Sequence, residues 1–114
     1  MIVLWVSRHA PPTKARQELQ NLVGEYQLVW YKDSVKEVSD LLNSLGPQDR
    51  IVATLPLDFL DQLVRLVRAH GMLPVLRPVI RHRTPNNGTD RWEFMGFEEV
   101  LEARVVSRKV GAWT

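Results

Sequence analysis

The chain contains no cysteine and only six glycines among its 114 residues. Without cysteine, disulfides and thiolate metal sites are excluded, and a reducing compartment fits. The glycines are scattered and build neither a Walker loop nor a GxGxxG turn, which argues against a nucleotide cofactor held in the usual dinucleotide manner. His9, His70 and His82 share no HxH or HxxxH spacing and have no acidic partner at a ligand-like interval, so no metal and no cofactor is expected. No run approaches the roughly 18 to 20 apolar residues of a membrane-spanning helix. Residues 1–6 are too short an apolar stretch for a secretory leader. The expectation is a cytoplasmic protein with no membrane partner. Charge of one sign is also scarce, because a net charge of +2 is too small to argue for duplex nucleic acid.

What is present is an ordinary globular composition, 45% hydrophobic and 25% charged. The length suits one domain, residues 1–114, with 79–110 as a C-terminal extended or hairpin region. Residues 1–6 form a continuous apolar run, at home in the centre of a parallel sheet. The run stops abruptly at Ser7-Arg8-His9. After Pro11-Pro12, Ala15, Leu19, Leu22, Val23 and Tyr26 recur with helical spacing and Gly24 ends the helix. Residues 27–31 then supply a second strand. Ser34 and Glu37 stand three apart as a capping box before Val35, Val38, Leu41, Leu42 and Leu45, so the spacing predicts a helix closed by Gly46-Pro47. Residues 50–55 read as a third strand. A third helix carries Leu60, Leu63, Val64 and Val67, and residues 73–77 a fourth strand at or near an edge, because Pro74 and Pro78 remove ladder donors.

Strands alternating with helices imply a mainly parallel α/β sheet with flanking helices. Beyond Pro78 the pattern changes to an extended segment, a turn cluster at 84–90 and an alternating strand at 91–95, a β-hairpin extension. Phe97, Val100 and Leu101 fit a short helix, and 103–108 a last strand.

In open α/β sheets, ligands bind beyond the carboxyl ends of the strands. Ser7, Arg8 and His9 bring a hydroxyl, a fixed guanidinium and an imidazole to such an end, a set suited to phosphate or another anion. If the first and third strands are neighbours, Thr54 faces the same crevice. Arg77, Arg81, His82 and Arg83 form a basic segment without an acid, from which Arg81 and Arg83 are candidate ligand contacts. The plainer reading of each residue is a loop start or a solvated strand. Trp5 and Trp30 are expected in the core. Trp92 and Trp113 are more than a short hairpin can bury, which favours a homodimer interface.

Two resemblances add to this reading. Arg8-His9-Ala10 after a first strand resembles the Arg-His-Gly motif of histidine phosphatases, with alanine in place of glycine. In that family the histidine takes the phosphoryl group. A longer resemblance, over residues 3–83, is to small CRISPR-associated proteins of type III systems, some of them ring nucleases. Val6 to His9 match Val-Ser-Arg-His at a strand end, Asp49 and the strand closing on Thr54-Leu55-Pro56 match an Asp followed by Thr-Leu-Pro, and Gly71, Pro74 and Arg77 match the layout of a related group. That resemblance implies a Rossmann-like (CARF-like) domain that dimerises around a cyclic oligoadenylate, with cyclic tetra-adenylate favoured by two-fold symmetry. It implies metal-independent cleavage by a ribose 2′-hydroxyl. Arg8 and His9 are then the catalytic residues, with Ser7, Arg8, His9, Thr54, Arg81 and Arg83 as ligand contacts. The same residues serve a sensor that binds without cleaving, and a further alternative is an accessory protein that docks a larger complex through its C-terminal hairpin.

Overall fold

A computed structural model describes residues 1–83 and 91–103, with the side chains of Arg83 and Arg91 also outside the description. The described chain forms β1 (Ile2–Val6), α1 (Thr13–Val23), β2 (Gln27–Tyr31), a 3₁₀ turn (Val38–Leu42), β3 (Arg50–Ala53), α2 (Leu57–Ala69), β4 (Val75–Arg83) and β5 (Arg91–Val100). The strands make one five-stranded sheet in the order β2-β1-β3-β4-β5. The first four are parallel, and β5 runs antiparallel to β4. The sheet is thus mixed but mostly parallel, in an α/β arrangement.

β1 and β3 lie at its centre, and their apolar runs are buried on both faces. On one face α1 places Ala15 and Leu19 over Val3, Trp5, Val52 and Leu76, with Phe94 and Phe97 closing the side. On the other, α2 packs Leu60, Leu63, Val64 and Val67 over Leu4, Val6, Ile51, Ala53 and Val75. These four residues of α2 are the ones its spacing predicts. Gly24 ends α1 at φ 78, a left-handed conformation that glycine adopts without a Cβ penalty.

Two expectations are corrected. The helix expected from Ser34 to Leu45 is only the 3₁₀ turn, and no side chain caps its start. Its apolar residues are buried as their spacing implies, with Val38, Leu41 and Leu42 in the core and Val35 and Leu45 against it. A full helix is disfavoured by composition, because Ser39, Asp40, Asn43 and Ser44 are residue types that prefer turns and caps, and valine is a weak helix former. The fourth strand does lie near an edge, one place in from β5. It begins at Val75 and runs on without a break into the extended segment expected after Pro78, with Pro78 opposite Phe97. Second, Phe97 and Val100 do not open a helix but continue β5.

This last misreading has a specific cause. Val79 pairs with Gly96 and Ile80 with Phe94, so one extra residue bulges from β5. Gly96 sits at φ 145, accessible to glycine and strained for other residues. The bulge turns Phe94 and Phe97 to the same face, and their spacing of three mimics a helix. The turn cluster at 84–90, the strand expected beyond Ala103 and Trp113 all lie outside the described residues. No helix of the described residues is long and apolar enough to cross a membrane.

Candidate functional site at the carboxyl ends of β1 and β3

The chain leaves β1 for β2 on one side and returns to β3 on the other, so the order reverses between β1 and β3. Such a switch point opens a crevice beyond the strand ends. Val6 is in register with Ala53, and the Thr54 amide donates to the Val6 carbonyl at 2.9 Å. Ser7 and Thr54 therefore stand side by side, as the sequence requires if these strands are neighbours.

The backbone after Ser7 is pinned by two indoles. Trp30 Nε1 donates to the Ser7 carbonyl at 2.9 Å, and Trp5 Nε1 donates to the His9 carbonyl at 2.9 Å. The Ser7 amide donates to the Tyr31 carbonyl at 3.2 Å, and the Ser7 hydroxyl accepts the His9 amide at 3.2 Å. Trp5 is buried, as expected, but Trp30 is 42% exposed, because β2 is an edge strand. Its role is to hold the loop, with Lys32 Nζ 5.8 Å from its ring centre. A tryptophan at a strand end two residues from a polar cluster is weak as a sequence signal, and this function is visible only in three dimensions.

Two clefts open on either side of Ser7 and Thr54. The first, of about 250 Å³, is lined by Ser7, Arg8, Asp33, Ser34, Thr54 and the start of α2 at Pro56 and Phe59. Arg8 is exposed and makes no ion pair among the described residues. No side chain caps α2, so its first amides are open to an acceptor on this side. The second cleft, of about 550 Å³, is walled by Trp5, Pro78, Ile80, Trp92 and Phe94, with Ser7, His9 and Thr54 at its polar end. It exists because β4 and β5 run on past the end of β3 and stand beside the crevice.

The predicted residues thus divide. Ser7 and Thr54 serve both clefts, Arg8 lines the first and His9 the second. Arg81 lines neither cleft. Pro78 and Ile80 face the second cleft, so alternation turns Arg81 to the other side of the ribbon, in register with Glu93. The Arg83 side chain lies outside the described residues. Arg77 is paired with Glu98, its Nε donating to Oε1 at 2.8 Å, so the basic segment is partly neutralised. Asp33 and Ser34 on the first cleft, and Trp92, Phe94 and Ile80 on the second, were not foreseen as site residues. Asp33 and Ser34 follow a strand end, which is their only signal as site residues, and of the ribbon residues only Trp92 carries one, as a tryptophan that a short hairpin cannot bury.

Asp49 has a structural place. Its carboxylate accepts the amides of Ile2 and Gly46, each at 2.7 Å, at the opposite end of the sheet from Ser7. The Gly46 amide first, then that of Ile2, holds its carboxyl below the usual range. Arg50 is buried beside it and donates from Nη2 to the Pro74 carbonyl at 3.0 Å. Burial lowers its pKa, and Glu99 at 3.7 Å opposes that shift.

Comparison with models of protein families, with curated proteins and with solved structures finds no match.

Proposed function

We propose that the protein is a Rossmann-like (CARF-like) relative of the type III CRISPR ring nucleases, acting on a cyclic oligoadenylate, with cyclic tetra-adenylate favoured. The observation that carries this reading is the first cleft. Two neighbouring strand-end hydroxyls, a guanidinium with no ion pair among the described residues and the uncapped start of α2 line it at the switch point of the sheet, with the Asp33 carboxylate at its rim. That set matches a phosphodiester.

In the reaction, a ribose 2′-oxygen bonds to the adjacent phosphorus and its proton passes to a base. The bond from phosphorus to the 5′-oxygen breaks, and the 5′-oxygen takes a proton. The products are a 2′,3′-cyclic phosphate and a 5′-hydroxyl. Ser7 and Thr54 align the phosphodiester, and Arg8 stabilises charge on its oxygens. His9 is assigned the proton transfer. A homodimer would present the same cleft twice to a two-fold ligand.

The separation of Arg8 from His9 favours a second reading, a sensor that binds the ring without opening it, since holding the phosphodiester does not require the His9 imidazole. No second histidine lines either cleft among the described residues, which leaves the phosphatase-like reading without its partner residue. The test is incubation with cyclic tetra-adenylate followed by chromatography. Linear product that falls at least tenfold in Arg8→Ala and His9→Ala supports the nuclease. Tight binding of unchanged ligand selects the sensor, and no binding overturns both.

A further inference from the structure

We infer that the second cleft is a nucleobase site, in which a planar heteroaromatic ring stacks on Trp92. The inference rests on the reading above for where the phosphate lies, and it concerns a different surface. Trp92 is 72% exposed, although it is among the most costly side chains to leave in water. Its ring is stacked on that of His82, with centroids 4.6 Å apart and planes 30° apart. Pairing with His82 across the ribbon presets the ring plane, and the bulk of the exposure is left for a partner. Phe94 and Ile80, directly opposite each other in register, and Trp5 form the remaining apolar walls.

The volume of about 550 Å³ lies within the range of small-molecule sites, roughly 300 to 1,000 Å³. The walls are apolar and aromatic, but the end that meets β1 and β3 is polar. Ser7 accepts the His9 amide and keeps its own hydroxyl proton to donate. An acyl chain would leave these polar groups without partners, and phosphate alone would leave the aromatic walls bare. A ligand with a flat ring joined to a polar sugar satisfies both. Since Ser7 and Thr54 form the wall between the clefts, one nucleotide can straddle it, with phosphate on the Arg8 side and base on the Trp92 side.

The probes are adenosine, inorganic phosphate and cyclic tetra-adenylate, followed by NMR of the indole N–H signals. The Trp92 signal is identified by its loss in Trp92→Ala. Adenosine is expected to shift the Trp92 signal saturably, whereas inorganic phosphate leaves it in place. Trp92→Ala is expected to weaken cyclic tetra-adenylate roughly 5- to 150-fold, the range of base stacking on an aromatic ring, and Trp92→Phe to restore part of it. If Trp92→Ala binds cyclic tetra-adenylate as the natural chain does and adenosine moves no indole, the base site is refuted while the phosphate cleft stands. If the Trp92 signal follows protein concentration and not adenosine, the ribbon is a contact between copies and the proposal fails. If neither adenosine nor cyclic tetra-adenylate binds, both readings fall.

Discussion

Replacing Asp49 tests whether the sheet is anchored as its hydrogen bonds indicate. Asp49 is 3% exposed, and its two oxygens accept the amides of Ile2 and Gly46, each at 2.7 Å. Hydrogen bonds to a charged acceptor contribute about 1.5 to 3 kcal/mol, and an orphaned buried donor costs about 1 to 3 kcal/mol. Asp49→Ala removes both acceptors at once, and partial hydration of the amides offsets part of the loss. A destabilisation of about 2 to 4 kcal/mol follows, or about 10 to 20 °C in melting temperature for a domain near this size. Asp49→Asn keeps one carbonyl oxygen and turns an NH₂ toward the other amide, so it falls between the two.

The pH dependence has a definite sign. The carboxyl of folded Asp49 lies below its ordinary value of 3.8. Its contribution is therefore full above that value and is lost as the pH falls through the lower, folded pKa. The gap between the natural chain and Asp49→Ala should be constant from pH 5 to 7, on the order of the figure above, and narrow in stronger acid. Circular dichroism melts across this range provide the measurement. A melting point within a few degrees of the natural chain at pH 7 would refute the argument, because it would show that both amides find other acceptors. Asp49 is at the far end of β1 from Ser7, so ligand affinity of the folded variant should be unchanged.

Other expectations are simpler to state. Trp30→Phe removes the donor to the Ser7 carbonyl but keeps a ring. It should lose no more than about 1 kcal/mol of stability, yet weaken cyclic tetra-adenylate in calorimetry. Ser34→Ala should change stability by less than about 0.5 kcal/mol in urea titration, where a true capping box would lose about 0.5 to 2. Gly96→Ala should cost about 1 to 3 kcal/mol through strain at the bulge, measured by the same titration. Leu63→Ala, at a fully buried position of α2, should cost about 2 to 5 kcal/mol.

The sequence carried the parallel part of the fold well, because there the local pattern and the global demand coincide. An apolar run such as Val3 to Val6 has one economical place, a central strand, and α2 has one apolar stripe. Where one pattern fits two structures, the reading failed. The apolar residues of 35–45 are buried with helical spacing although only Val38–Leu42 form a 3₁₀ turn, and the weak helix propensity of Ser39, Asp40, Asn43 and Ser44 is the one sequence feature against a full helix. In β5, the extra residue at Met95 and Gly96 converts strand alternation into a spacing of three between Phe94 and Phe97. A bulge leaves no signal in periodicity except the glycine itself.

The candidate site was legible in its position and not in its shape. Ser7-Arg8-His9 is contiguous in sequence, which invites treating it as one chemical unit. The chain bends from Ser7 through His9, however, and the three side chains do not share one cleft. Arg8 turns to the side of α2 and His9 to the side of the ribbon, and the indoles of Trp30 and Trp5 hold the loop so. Proton transfer by His9 to a phosphodiester held by Arg8 must then reach around Ser7 and Thr54. Moving the imidazole is a direct test: Ser34→His with His9→Ala places a histidine on the phosphate side and keeps Arg8. If His9 acts from the second cleft, this double variant should show no linear product in chromatography. Recovery of cleavage would place the proton transfer in the first cleft and refute the division of roles.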